Sequence, residues 1–442
     1  MPGQRVCRYV IALLVVMVSL AGCVRPTVQP EAEFTPAEAA FERGVVALTS
    51  SAYDQAIAEF TRAISLHPQR VEAYHNRGEA YRRKGDHERA LADYTQALTV
   101  NPTYAPAYYN RGIVYSNRAD YDQALADYTQ ALTLDPTFTE AYINRGIAYD
   151  RGKHDYDRAL ADYNHALRLD PNREEAYMNR GLAYWHKRDY DRALLDYTQA
   201  ITLNPAYAAA YINRGVVYAD QGHLERAIAD SSQALALHAN ALEAYVNRGE
   251  AYRRQGNYDL AVADFSQALT LKPDLALIYY NRGAAYQGQG DLSRAAADYA
   301  QAITLDPRYV EAYVKRGEVY SDYGDYDRAI ADFTHVLTLN PNYSLAYYNR
   351  AVAWFFKQDY ASAWADVQRF QRMGGKPDPQ FLTDLRKASG KRATPGKKVV
   401  SGKKVVSGKK VVPGKKVIPG KKVVPGKKVA PGKKATRLRP RG

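Results

Sequence analysis

The sequence predicts an all-α solenoid of ten helical hairpins, and two observations support this prediction. A triplet ending in glycine, most often Asn-Arg-Gly, recurs every 34 residues with one step of 35, and its glycines lie at 78, 112, 146, 181, 215, 249 and 283. Within each period, apolar side chains twice follow helical spacing and are separated by a turn signal. Ten periods fill residues 37–377 of the 442-residue chain.

Residues 71–104 show how one period is expected to fold. Tyr74, Gly78 and Tyr81 are spaced so that they share one face of a first helix. Gly85-Asp86 ends that helix and offers an N-cap to a second one. Asn101-Pro102 ends the second helix, because proline disfavours helical geometry in the residue before it. Each period is therefore expected to form a helix-turn-helix hairpin.

This pattern resembles the tetratricopeptide repeat. The family expects aromatic, Gly, aromatic, Ala, aromatic, Ala and Pro at fixed places, and this period supplies Tyr74, Gly78, Tyr81, Ala90, Tyr94, Ala97 and Pro102. The resemblance covers 341 of 442 residues and implies a right-handed superhelix. The ten repeats are 37–70, 71–104, 105–138, 139–173, 174–207, 208–241, 242–275, 276–309, 310–343 and 344–377.

Three local features depart from the repeat. The extra residue of the fourth repeat falls within 151–154 and is expected to lengthen a turn. In the sixth repeat, Ser231 replaces the aromatic residue and Ala239 replaces the proline, which predicts a looser joint. Residues 378–389 contain an apolar helical pattern and are expected to form a helix that caps the last hairpin.

The N-terminus is typical of a secretory signal. Arg5 and Arg8 precede an apolar run over residues 9–20, which is too short to span a bilayer. The following Leu-Ala-Gly-Cys, residues 20–23, resembles the lipobox of bacterial lipoproteins. That resemblance implies a lipoprotein signal peptide at 1–22, a lipidated Cys23 and a tether at 23–36. An ordinary signal with a chance cysteine is the alternative.

The same resemblance implies a location and a membrane partner. An acylated Cys23 would anchor the protein to the cell envelope through its lipid. In Gram-negative lipoproteins, aspartate after the cysteine retains the protein at the inner membrane. Val24 occupies that position here, so we expect the periplasmic face of the outer membrane in a cell with two membranes.

The tetratricopeptide resemblance also implies a peptide-binding groove. In that family the first helices line a concave groove, and the sixth residue of the repeat is often an asparagine that bonds a peptide backbone. Those residues are Asn76, Asn110, Asn144, Asn179, Asn213, Asn247, Asn281 and Asn349. A carboxamide both donates and accepts, so it suits any peptide bond. The alternative is that these asparagines bond their own or neighbouring helices.

An arginine follows this position in every repeat, from Arg43 to Arg350. The second helix carries a matching aspartate in nine repeats, from Asp93 to Asp366. We expect the two to pair within the hairpin, with the aliphatic part of the arginine packed and its head exposed. Binding of an anionic partner by the arginines is the alternative.

Charge divides the chain into an acidic body and a basic tail. The formal charge is +14, but residues 390–442 contain 15 Lys, 4 Arg and no acid, so residues 1–389 are acidic. The tail repeats Pro-Gly-Lys-Lys-Val-Val, a composition that predicts disorder and binding to anionic polymers of the envelope. Binding of the tail to the protein's own acidic body, or a purely solubilising role, is the alternative. A uniformly basic nucleic-acid-binding domain is excluded, and no specific nucleic-acid partner is expected.

Patterns of catalytic residues are absent from the sequence. Its nine histidines form no metal-binding pair at i, i+4, and its two cysteines, Cys7 and Cys23, cannot form a cysteine-based metal site. Glycine-rich stretches lack the spacing of a phosphate loop or a dinucleotide fingerprint. We therefore expect no catalytic residues, no metal and no cofactor.

These features predict a non-enzymatic scaffold for protein–protein interaction. It would be anchored to the bacterial envelope and hold extended segments of envelope proteins in its groove. The alternative is a protein that binds cell-wall polymer or lipopolysaccharide through its lysine-rich tail and uses the solenoid as a spacer.

Overall fold

The computed structural model describes residues 34–390, which contain twenty-one α-helices, one π-helical turn and no strand. The predicted all-α array of repeated helical hairpins is confirmed. The helices are α1 Pro36–Thr49, α2 Tyr53–Leu66, α3 Val71–Lys84, α4 His87–Val100, α5 Ala105–Asn117, α6 Tyr121–Leu134, α7 Thr139–Ala148, α8 Tyr156–Leu169, α9 Glu174–His186, α10 Tyr190–Leu203, α11 Ala208–Gln221, α12 Leu224–Leu237, α13 Leu242–Gln255, α14 Tyr258–Leu271, α15 Ala276–Gln289, α16 Leu292–Leu305, α17 Val310–Asp322, α18 Tyr326–Leu339, α19 Ser344–Phe356, α20 Tyr360–Arg372 and α21 Pro379–Ala388.

The helices belong to two compact units, which divide after Arg118. The described part of the first unit contains α1 to α5, and that of the second contains α6 to α21. Odd-numbered helices up to α19 are the first helices of their hairpins, and even-numbered helices are the second.

The turns between paired helices follow from glycine and aspartate. Gly85 ends α3 with a left-handed φ of 86°, a conformation that costs glycine little. Asp86 then caps α4, and its carboxylate accepts from the backbone N–H of Arg89. Aspartates at equivalent places cap α6, α8, α10, α16, α18 and α20 in the same way.

In the described part of the chain, seven hairpins close where an aromatic ring lies against a glycine of the first helix. A Cβ added to Gly78 would lie 2.9 Å from Cε1 of Tyr94, and one added to Gly181 would lie 2.9 Å from Cε1 of Tyr197. Both rings are buried. The first helix therefore needs a residue without a side chain at this point, which explains why the triplet ends in glycine.

First helices form a continuous face within each unit. Each first helix packs against the second helix of the preceding hairpin in its unit and also contacts the next first helix. Successive second helices make no comparable contact among the described residues. The first helices, α7 to α19 in the second unit, therefore lie side by side, and we call the surface they share the first-helix face.

The extra residue of the fourth repeat does not simply lengthen a turn, so that prediction was wrong. α7 continues into a π-helical turn at Tyr149–Lys153, and His154 ends it with a φ of 52°. A π turn accommodates one more residue while the backbone remains hydrogen-bonded. The side chain of Tyr121 packs directly on Gly152, where an added Cβ would lie 2.3 Å from Cγ of Tyr121. Only glycine therefore fits at this place in the π turn.

The sixth hairpin keeps its helices despite the missing aromatic ring. Ser231 is buried, and its hydroxyl has no hydrogen-bond partner. The nearest atom to a Cβ added at Gly215 is the backbone oxygen of Ala227, at 3.3 Å. This glycine is therefore less tightly covered than Gly181.

α21 covers the end of the last hairpin. Leu385 is fully buried, and the ring of Phe381 contacts the rings of Tyr348 and Phe355 at 5.7 and 5.5 Å between centroids. Nε1 of Trp364 donates to the hydroxyl of Ser389 at 3.0 Å. The helix thus takes the place that the first helix of a further hairpin would occupy.

The predicted signal peptide at 1–22, Cys23 and the basic tail after Gly390 lie outside the described residues. Among the residues that are described, no helix has both the length and the apolar character needed to cross a bilayer.

Candidate peptide-binding face

Bidentate arginine–aspartate pairs hold the hairpins together, which confirms the predicted pairing. In each pair, Nε and Nη2 of the arginine donate to the two carboxylate oxygens at 2.7–2.9 Å. The pairs are Arg77–Asp93, Arg145–Asp162, Arg180–Asp196, Arg214–Asp230, Arg248–Asp264, Arg282–Asp298, Arg316–Asp332 and Arg350–Asp366. Arg43 of the first repeat pairs instead with Glu59.

Most arginines of this series also tie their hairpin to the one before it; Arg316 is an exception, because Ala300 offers no side-chain acceptor at the equivalent place. Nη1 of Arg180 donates to Oδ1 of Asn164 at 2.6 Å, and Nη1 of Arg248 donates to the hydroxyl of Ser232 at 3.1 Å. Threonine or serine hydroxyls sixteen residues before the arginine accept in the same way from Arg77, Arg111, Arg145, Arg214, Arg282 and Arg350. Sequence analysis missed this contact, although a polar residue follows the buried position of the second helix at the repeat interval.

Burial and hydrogen bonding shift the pKa values of these groups. The hydrogen bond from Arg248 to Asp264 raises the pKa of Arg248, and that from Arg77 to Asp93 does the same for Arg77. Burial raises the pKa of Asp196 despite its contact with Arg180. The paired arginines are engaged inside the hairpin stack, which argues against their serving an anionic ligand.

The eight predicted asparagines all lie on first helices, but they differ in accessibility. Asn76, Asn110, Asn144, Asn247, Asn281 and Asn349 are half-buried. Asn179 and Asn213 are only 5% and 2% exposed. These last two amides are not accessible to a ligand in this arrangement.

Several of the amides already have partners within the protein. Asn110 Nδ2 lies 2.7 Å from Nε2 of His75, and Nδ1 of His75 lies 3.2 Å from Oδ1 of Asn76. Asn179 donates to the backbone oxygen of Glu175 at 2.8 Å, as the alternative interpretation expects. Asn144 also has an interaction within the protein.

Asn213 is an unusual member of the series. Its Nδ2 lies 3.5 Å from the sulfur of Met178, and its buried Oδ1 has no partner. The side chain of Met178 covers it from the preceding first helix, because the residue before each asparagine packs towards the next hairpin. An amide oxygen without a partner lowers stability here.

The side-chain amides of three asparagines make no hydrogen bond with any other described residue. These are Asn247, Asn281 and Asn349. They lie on α13, α15 and α19 of the second unit. The equivalent residue of α17 is Lys315, whose ammonium donates to Glu318 at 2.8 Å. Three partly exposed carboxamides with open donors and acceptors therefore occur on the last four first helices.

The surroundings of these open amides combine aromatic, apolar and acidic side chains. The ring of Tyr280 lies 5.1 Å from that of Tyr309, and burial raises the pKa of Tyr280 to about 12, with a contribution from Glu311. On α19, Leu345 and Phe356 are each 55% exposed. An extended chain with apolar and basic side chains would find complementary groups here.

A separate cleft of about 900 Å³ lies at the hairpin tips of α13 to α17. Its lining includes Leu260, Ser293 and Tyr323, and it contains none of the predicted asparagines. The three residues occupy positions that hold charged residues in most other repeats. The cleft is open to solvent and belongs to a different surface from the first-helix face.

Metal-binding side chains do not cluster in the described part of the chain. Across residues 34–390, no three His, Cys, Asp or Glu side chains are grouped so that they could hold a metal ion. The geometry supplies hydrogen bonds, rings and carboxylates arranged along stacked helices, which suits binding. Stacked hairpins of this kind define a helical-repeat protein of the class that mediates protein–protein interaction.

Comparison with known proteins identifies the family. Models described as TPR repeat match residues 50–85, 78–117, 150–188 and 249–290. Models described as tetratricopeptide repeat match residues 105–138, 174–207, 196–229, 276–309 and 310–343. Together these stretches cover more than half of the chain, which belongs to the tetratricopeptide repeat family. No curated protein sequence matches it.

Solved structures share parts of the architecture. A tetratricopeptide repeat protein from Parabacteroides merdae is 22% identical, with a TM-score of 0.47, over 57% of this chain and 98% of that one. YrrB, described as having an unusual peptide-binding site, is 26% identical, with a TM-score of 0.36, over 42% of this chain and 95% of that one. The Cut9–Hcn1 complex gives 15% identity and a TM-score of 0.41 over 80% of this chain and 96% of that one.

Proposed function

We propose that this tetratricopeptide repeat protein is a non-enzymatic scaffold that binds extended protein segments along its first-helix face. Protein–protein interaction is what the repeat family supports. The ligand is proposed to bind to the second unit, on α13 to α19, where accessible groups occur. Its backbone is proposed to be extended, because that conformation suits these groups.

The observation behind this proposal is the set of open amides at Asn247, Asn281 and Asn349. Packed helices lie about 10 Å apart, and an extended chain advances about 3.3 Å per residue. One hairpin therefore corresponds to about three ligand residues, and the two hairpin steps from Asn281 to Asn349 correspond to about six. Each amide can donate to and accept from the ligand backbone, whatever its side chains.

A binding experiment tests the role of these amides. Asn247, Asn281 and Asn349 are changed together to alanine, and binding to peptides tiled from envelope proteins is measured by array and then by fluorescence anisotropy. Loss of three hydrogen bonds at about 0.5–1.5 kcal/mol each should weaken the best peptide by at least about tenfold. The matched control changes three exposed asparagines in turns between hairpins, Asn172, Asn240 and Asn342. Equal affinity of the two triple variants would reject the proposal.

The scaffold is proposed to act at the cell envelope, anchored by a lipidated Cys23. The basis is the lipobox-like sequence before that cysteine and the valine after it. Cys23→Ser should shift the protein from the membrane fraction to the soluble fraction and remove the acyl mass from the N-terminal peptide. Unchanged fractionation of the Cys23→Ser variant would contradict the anchor and leave the groove proposal standing.

The rival function is binding of an anionic envelope polymer by the tail. The tail's charge of +19 over residues 390–442 favours it. In that case, deletion of the tail should abolish binding to purified lipopolysaccharide or wall polymer, and the triple asparagine variant should bind them normally. The two functions are thus separated by ligand as well as by variant.

A further inference from the structure

We infer that the chain's own C-terminal segment, residues 391–442, occupies the first-helix face of the last two hairpins, on α17 and α19. This inference deepens the proposed function, since it rests on the same face binding an extended chain. The tail is the segment that lies on this face when no partner is bound.

The described chain ends on the last hairpin. α21 packs on the last hairpin through Phe381, whose ring contacts Tyr348 and Phe355 of α19. The chain leaves this helix at Gly390, only nine residues after Phe381. At 1.5 Å per helical residue, that is about 14 Å. Ser389 accepts from Trp364 of α20, so the 52 residues that follow start on the last hairpin, about 14 Å from the contact of Phe381 with α19.

Helix α19 carries exposed apolar side chains. Leu345 and Phe356 are each 55% exposed, although both lie on a helix whose other face is packed. The ring of Tyr326 stacks on the ring of Phe356, with 5.2 Å between their centroids. Exposed leucine and phenylalanine on the same helix form a surface that an apolar segment would cover.

The charge of the tail is opposite to that of a carboxylate on α17. Residues 391–442 carry +19 and no acidic residue. Beside the apolar surface, α17 carries the exposed Glu311, and this carboxylate contributes to raised pKa values of Tyr280 and Tyr343. A lysine ammonium at this place would pair with the carboxylate and lie against the tyrosine rings.

The period of the tail matches the spacing of the hairpins. Its unit of six residues places two apolar residues, mostly valines, after six of the seven Lys-Lys pairs. Six extended residues span about 20 Å, and two hairpins at about 10 Å each span the same length. The first lysine of such a pair has an apolar residue three positions further on, about 10 Å away in an extended chain, which corresponds to the one hairpin step from the acidic position of α17 to the apolar surface of α19.

Tethering makes this contact effective even when it is weak. A tether of 52 residues holds its own segments at an effective concentration in the millimolar range. A partner segment would have to displace the tail. The tail therefore raises the partner concentration that is needed to occupy the face.

Photo-crosslinking in the full chain tests the inference. Benzoylphenylalanine replaces Phe356 in one variant and Leu195 in another. Leu195 is 70% exposed on the second helix α10 and serves as the matched control. We expect intramolecular crosslinks from position 356 to peptides of 391–442 at about 0.1 M salt. Raising the salt to about 1 M, where the Debye length falls from about 10 to about 3 Å, should reduce the yield several-fold.

A charge variant gives an independent measurement. Glu311→Lys should reduce the crosslink yield from position 356 several-fold. Asp191→Lys changes the charge equally at an exposed site on α10 and should leave the yield unchanged.

Three results would overturn the inference: equal yields from positions 356 and 195, crosslinks from 356 only between separate molecules, or insensitivity to Glu311→Lys. If crosslinking fails and the wild-type chain still binds peptides in an asparagine-dependent way, only the inference is lost. If crosslinking succeeds and peptide binding does not depend on the asparagines, only the proposed function is lost.

Discussion

The guanidinium of Arg180 donates two hydrogen bonds to the carboxylate of Asp196 in its own hairpin, at 2.7 and 2.8 Å, and a third, at 2.6 Å, to Asn164 of the preceding one. One side chain therefore joins three helices, α9, α10 and α8. Its equivalents recur along the array, so arginine links hairpins at positions where sequence pattern alone suggested contact only within a hairpin.

Removal of the aspartate alone should be costly. Asp196→Ala leaves Arg180 largely buried without its counterion, and we expect a loss of about 3 kcal/mol in the free energy of unfolding. The measurement is urea unfolding followed by far-UV circular dichroism, with hydrogen exchange of α9 and α10 to locate the effect. Asp274→Ala, at an exposed turn position, is the control and should change little.

Replacing both partners separates the contribution of the Arg180–Asp196 ion pair from the cost of burying an unpaired charge. Arg180→Met combined with Asp196→Leu should be within about 1 kcal/mol of wild type, because no buried charge is left unpaired. A double variant as unstable as Asp196→Ala would show that the third bond to Asn164 or the exact packing carries the stability instead.

The two glycines Gly181 and Gly215 should tolerate alanine differently. An alanine at 181 would place Cβ 2.9 Å from the buried ring of Tyr197, whereas the nearest atom at 215 is 3.3 Å away. We expect Gly181→Ala to lose about 1–3 kcal/mol more than Gly215→Ala in chemical unfolding, because overpacking costs that much. Equal losses would mean that hairpin closure does not depend on the ring.

Adjacent serines of α12 should respond to alanine in opposite directions. Ser231 has a buried hydroxyl without a partner, so Ser231→Ala should stabilise the protein by about 1 kcal/mol. Ser232 accepts from Arg248, so Ser232→Ala should destabilise it by about the same amount. Thermal unfolding of the two variants tests this directly, and a loss in both would contradict an unpartnered Ser231.

Acid should weaken the N-caps of the second helices. Hydrogen bonds from the residue three positions on lower the pKa of the capping aspartates 86, 189, 291, 325 and 359. A lowered folded-state pKa gives stability that is complete above the ordinary value of 3.8 and is lost as the pH falls through the folded value. The fivefold Asp→Asn variant keeps caps that cannot titrate. Its unfolding midpoint should therefore fall less than that of wild type between pH 6 and pH 2, and parallel curves would refute the assignment.

Much of the architecture was predictable because it repeats locally. The glycine triplet, the Gly-Asp turn and the Asn-Pro boundary depend on residues within one period, and each is decided by backbone geometry and capping. The pairing of Arg248 with Asp264 was predictable for the same reason, since both lie in one hairpin, sixteen residues apart. The family resemblance added the expected use of the first helices.

The open amides were not predictable from the repeat. Asn213 and Asn247 occupy the same place in consecutive repeats, yet Met178 covers the first, and the second makes no hydrogen bond among the described residues. Their difference depends on side chains about 34 residues away, which the helical stack brings into contact. The π turn at Tyr149–Lys153 was decided in the same way, because Tyr121 of the preceding hairpin packs on Gly152.

The sequence by itself determined the number, order and phase of the hairpins, because backbone conformation is set by residues that are close in sequence. Only the tertiary structure decided which side chains of an otherwise uniform face remain accessible, because accessibility is set by what the adjacent hairpin places against each one.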